Sequence, residues 1–118
     1  MLTLSDKKIY LACGPTDMRK SINGLSAIVE GSFRLNPLDA ALFVFCNRKH
    51  DRIKILEWDF DGFWVYFKRL EKGRFRWPTA DGDEVTMSLE REDLYHLLGS
   101  PKVIQKLMRQ EVKISALI

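Results

Sequence analysis

The chain has 118 residues, 46% of them hydrophobic and 30% charged, with a net charge of +3. That is enough chain to bury a core without staples, and the composition argues against extended disorder. No apolar run approaches the roughly 20 residues of a membrane span, and the start, MLTLSDKK, lacks the pattern of a secretion signal, so a cytoplasmic protein is expected.

In chain order, residues 8–13 (KIYLAC) predict a buried strand ended by Gly14-Pro15. Thr16 then stands as a cap and Asp17 as the first residue of a helix, with Ile22, Leu25, Ile28 and Val29 forming one apolar stripe. Gly24 interrupts that pattern and suits a close packing contact better than a turn. The helix should fade over 31–34. Residues 41–46 (ALFVFC) read as a strand, 47–51 (NRKHD) as a polar hairpin connection, 52–58 (RIKILEW) as the returning strand, and 59–62 (DFDG) as a second turn.

Residues 63–70 and 74–77 flank Glu71-Lys72-Gly73, a connection suited to a bulged hairpin, and so extend the series to four strands. Residues 84–88 (EVTMS) could add an edge strand. Ser88 is positioned to cap a helix over 89–98 ended by Gly99, and Ser100-Pro101 to open a last helix over 102–111. The apolar tail that follows suits either docking on the domain or a homodimer contact. The expected fold is a single α+β domain over 1–118: an antiparallel meander of four to six strands packed by an N-terminal helix and C-terminal helices.

Charge is unevenly distributed. Residues 48–76 hold nine basic and five acidic side chains, a balance of +4, whereas 77–118 hold five and seven, a balance of −2. Within that basic third, the stretch GFWVYFKRLEKGRFRWP (62–78) interleaves rings with cations. Strand alternation separates Phe63, Val65 and Phe67 from Trp64, Tyr66 and Lys68, and sends Phe75 and Trp77 inward while Arg74 and Arg76 point out. Arg52 and Lys54 share a face with Leu56 and Trp58.

An aligned sheet face would collect these cations around Trp58, Trp64 and Tyr66. Cations for phosphates and rings for unpaired bases suit a nucleic acid. An ordinary solvated outer face is the competing reading. The candidate DNA contacts are Arg19, Lys20, Arg48, Lys49, Arg52, Lys54, Lys68, Arg69, Arg74 and Arg76, with Trp64 and Tyr66 as stacking rings. Arg19 and Lys20 join them only if the start of the first helix lies beside the meander.

Other constellations offer less. Glu57, Asp59 and Asp61 could gather a hard cation, but aspartate also favours turns, and no metal or other cofactor is expected. Cys13 and Arg19 have the spacing of a cysteine phosphatase loop, yet Asp17 would repel the anion and Lys20 stands where that loop wants a hydroxyl. Cys13 and Cys46 are better read as free thiols, and His50 and His96 have no evident nucleophile beside them. No catalytic residue is assigned.

Taken together, TDMRKSINGLSAIV (16–29) and LFVFCNRKHDRIKILEWDFDGFWVYFKRLEKGRFRWP (42–78) resemble the second-open-reading-frame accessory proteins, TnpB, of the insertion sequence 66 family of bacterial transposable elements. These differ from the RNA-guided nuclease of the same name. The resemblance covers about 11–98 and leaves 102–118 outside. The family pattern usually has glycine where this chain has Phe60, and another small residue in place of Cys13. The resemblance implies a non-enzymatic protein required for transposition, acting with the separate transposase of the same element, which carries out strand transfer. Contact with element DNA is one expectation; engagement of the transposase without DNA contact is the alternative.

Overall fold

The computed structural model describes residues 7–99. Five strands and two helices follow in the order β1 (Lys8–Ala12), α1 (Ile22–Gly31), β2 (Ala41–Cys46), β3 (Arg52–Asp59), β4 (Gly62–Arg69), β5 (Thr86–Leu89) and α2 (Arg91–Leu98). They form one five-stranded sheet in the spatial order β4-β3-β2-β1-β5. The α+β class is as expected. The helix and tail expected over 102–118 lie outside the described residues.

The sheet is mixed, not wholly antiparallel. β2, β3 and β4 do form the meander, but β1 runs parallel to β2, with Ile9 opposite Leu42 and Leu11 opposite Val44. A parallel pair needs a long crossover, and α1 supplies it. β5 closes the other edge against β1, antiparallel.

Residues 74–77 are not a strand. The Phe75 N–H donates to the His50 carbonyl at 2.7 Å and the Trp77 N–H to the Phe75 carbonyl at 3.0 Å, so the backbone curls. The Trp77 indole N–H reaches the Ala12 carbonyl at 3.0 Å. Phe75 is buried and Trp77 packs against the core, which keeps the inward direction that alternation assigned them.

α1 begins at Ile22 rather than beside Thr16. Thr16 is buried, with its N–H committed to the Cys46 carbonyl at 2.8 Å, and the Asp17 carboxylate turns back on the Arg19 N–H at 2.9 Å. A tight turn therefore occupies the place of the expected first helical turn. A Cβ on Gly24 would approach the Lys20 Cβ to 3.0 Å, the close contact that glycine relieves. Ser88, expected as a helix cap, pairs in β5 with Tyr10; Glu90 and Asp93 form the capping box of α2 instead.

Two cores lie on opposite faces of the sheet. Leu25 and Val29 of α1 cover Ala12, Ala41, Phe43, Phe45 and Leu56, with Phe63 and Val65 at the margin. Leu94, Leu97 and Leu98 of α2, together with Phe75, cover Ile9, Leu11, Leu42, Val44, Ile53 and Ile55. Every residue of β2 is buried, which explains why ALFVFC is apolar without alternation. Each large apolar side chain removed from water there contributes about 1.5–3 kcal/mol.

Candidate nucleic-acid interface

The pairing register decides which cations meet. Arg52 lies opposite Arg69, Ile53 opposite Lys68, Lys54 opposite Phe67 and Ile55 opposite Tyr66. Residues directly opposite share a face, so Arg52, Lys54, Phe67 and Arg69 lie on the α1 side and Lys68, Tyr66 and Trp64 on the α2 side. The single face drawn through Arg52, Lys54, Lys68, Trp64 and Tyr66 is not formed.

What forms instead is an open groove at one end of the β3–β4 hairpin. Its walls include Arg19, Arg48, Lys49, Arg52, Phe67 and Arg69, with Asp17 and Asp51 among them. The turn that precedes α1 is brought there by the Thr16 to Cys46 backbone bond and by Lys54, whose ammonium donates to the Lys20 carbonyl at 2.8 Å. Arg19 thus lies beside the hairpin, whereas Lys20 lines a separate groove with Gly14, Pro15 and Glu84. The Lys54 ammonium also sits 5.6 Å from the centre of the Phe67 ring, a cation–π contact.

Asn47 builds the loop that carries Arg48 and Lys49. Its side-chain oxygen accepts the Asp51 and Arg52 N–H groups, both at 3.0 Å, while its amide donates to the Asp51 carboxylate at 2.6 Å. That last bond holds the Asp51 carboxyl below its ordinary value. The loop carbonyls of His50 and Asp51 accept from Phe75 and Leu70, so neighbouring chain holds it from outside. His50 itself takes φ +58°.

The cations differ in how far they are committed. Arg19 is paired with Asp17 at 2.7 Å, which lowers the Asp17 carboxyl to about 2. Arg69 is paired with Glu71 at 2.8 Å. Arg48, Lys49 and Arg52 are exposed and form no salt bridge among the described residues, although the charges of Arg52 and Lys49 act on the Asp51 carboxylate. The remaining candidates stand elsewhere. Lys68 donates to the Leu98 carbonyl at 2.7 Å, satisfying the C-terminal end of α2. Tyr66 donates to Glu57 at 2.7 Å, and its hydroxyl is pushed upward by burial and by that carboxylate. Arg74 is exposed on the segment over the α2 face, and Arg76 lines a separate groove beside α2.

Phe67, 58% exposed, is the ring the groove presents, in place of the expected Trp64 and Tyr66. The available signal was its cross-strand partner: once Lys54 is opposite, the ring must share the cationic face.

The remaining constellations do not converge. Glu57 is wholly buried, bound by Lys7 at 2.6 Å and by Tyr66, while Asp59 accepts from the Trp64 indole at 2.9 Å. Among the described residues no three potential ligands gather for a metal ion, and no helix is long and apolar enough to cross a membrane. Burial raises the Cys13 thiol, the opposite of what a nucleophile needs, and pushes Cys46 up to about 12.

The family described as IS66 Orf2-like protein matches residues 7–107. Two uncharacterized proteins of Sinorhizobium fredii are similar: y4hO is 40% identical over 69% of this chain and 70% of its own length, and y4jC is 33% identical over 74% of each. No solved structure gives a significant match. The chain belongs to the IS66 Orf2-like family, which suggests an accessory role in transposition in association with an IS66 transposase.

Proposed function

We propose that this protein is a non-enzymatic, cytoplasmic transposition factor that contacts element DNA through the groove at the cationic end of the β3–β4 hairpin, beside the transposase that performs the chemistry. The observation that carries this reading is the immobilised loop of Asn47 to Asp51. It presents Arg48 and Lys49, next to Arg52, with no salt bridge to any of the three among the described residues. A loop backbone already fixed in place loses little freedom when the cations it carries meet phosphates, and phosphate contacts dominate the affinity of such an interface. Phe67 offers a ring on which an unpaired base can stack. No side chain in the groove forms an evident base-reading array, so binding of low sequence specificity is expected.

Salt titration of binding to element-end DNA tests the reading. Replacing Arg48 and Arg52 together with alanine should reduce the slope of log affinity against log salt by roughly 2. The Arg74→Ala, Arg76→Ala pair should leave it nearly unchanged. No binding by the wild type at low salt, or a slope indifferent to Arg48 and Arg52, overturns the proposal in favour of a module that only engages the transposase.

A further inference from the structure

The far end of the same hairpin is built differently. β3 and β4 are joined by only Phe60 and Asp61, with Asp59 opposite Gly62. Phe60 takes φ +52° and is 93% exposed. A side chain in this left-handed region costs about 1–2 kcal/mol that glycine would not incur. The ring recovers little of that by packing, since nearly all of it is in water. An exposed phenylalanine is ordinary by itself. One held at positive φ, a conformation that disfavours a bulky side chain, at a tip where it packs on nothing, points to a use outside the fold.

The turn beneath the ring is stiff. Trp58 meets Phe63 edge-on at 5.0 Å on one face, and Trp64 stacks on Tyr66 at 6.3 Å on the other. The Trp64 indole N–H also holds the Asp59 carboxylate. The ring therefore stands on a braced pedestal, with two exposed carboxylates beside it. Those carboxylates would repel phosphates, and the seven residue steps of β3 place the tip about 23 Å from the cationic groove. Nucleic acid is the wrong occupant for this end.

We infer that the Phe60 tip is a protein-docking element. Its ring enters an apolar pocket rimmed by lysine or arginine on the associated transposase, with Asp61 facing those cations. A single buried aromatic anchor on a rigid support is the usual form of an interface hot spot. This inference rests on the accessory role and not on DNA contact.

The test uses the full chain and the purified transposase of the same element. Phe60→Gly should raise the melting temperature by about 3 °C, because strain is relieved, and weaken transposase binding about tenfold or more. Phe60→Tyr should retain binding, and Asp61→Lys should weaken it further as salt is lowered. Phe60→Gly should leave the salt slope for DNA unchanged, so this inference and the groove reading fail separately. Unaltered transposase binding by Phe60→Gly, or none by the wild type, overturns the inference. So does a wild-type self-association that Phe60→Gly abolishes, which would make a second copy the occupant. Loss of DNA affinity in Phe60→Gly would return the ring to nucleic acid and overturn it as well.

Discussion

The two ends of the β3–β4 hairpin invest their hydrogen bonds in opposite ways. At the Arg52–Arg69 end, Asn47, Leu70 and Phe75 bind the connecting loop, and the exposed side chains of that loop, Arg48 and Lys49, are cations. At the Asp59–Gly62 end, the loop is as short as a hairpin allows, a phenylalanine is held at positive φ, and the exposed side chains are a ring and two carboxylates. A turn can thus be specified by side chains that satisfy its backbone or by short length and braced flanks. Only the first kind makes its geometry depend on one residue.

The largest effect on this comparison comes from the middle of the hairpin. Glu57 is wholly buried between Lys7 and Tyr66, so Glu57→Ala strands an ammonium and a hydroxyl and should cost about 3–5 kcal/mol in urea unfolding. Both ends should loosen together, since β3 connects them. A loss confined to one end would show that the ends fold independently.

Asn47→Ala should distinguish the ends. It removes the acceptor of the Asp51 and Arg52 N–H groups and the donor to the Asp51 carboxylate, for an expected loss of about 2 kcal/mol. Hydrogen exchange should accelerate over the loop of Arg48 and Lys49 while the amides flanking Phe60 keep their protection. Equal acceleration at both ends would break the contrast.

The last effect is silent at neutral pH and appears only in alkali. Burial raises the Cys46 thiol, just before the cationic loop, from 9.0 to about 12 in the folded state. A folded value above the unfolded one means that its stabilisation is complete below pH 9 and is lost as pH rises from there towards about 12. Thermal melts of the wild type should fall over that window, and Cys46→Val should fall less. Identical slopes would remove the thiol from the account.

Much of the packing could be read along the chain, because alternation is local. Ile53 and Ile55 were separable from Leu56, and Phe75 and Trp77 were assigned inward even though their segment is not a strand. The Asn47 to Asp51 connection and the edge strand at Thr86–Leu89 were also legible from turn and strand residues. α1 starts later than the capping pattern predicts because Asp17, a good early-helix residue, commits its carboxylate to Arg19. Parallel pairing of β1 with β2 could not be read, since an apolar run of five or six residues looks the same in either direction.

The sequence by itself determined the residue types: a basic middle third, strands of known parity, and a family membership that its motif order carries. Tertiary structure alone decided which of those residues are neighbours. Cross-strand register put Phe67, not Trp64 or Tyr66, among the cations, and chain tethering brought Arg19 to Arg48 and Arg52 while Lys68 went to the end of α2. The physical reason is that parity gives each strand two faces, but only hydrogen-bond pairing between distant strands says which faces coincide.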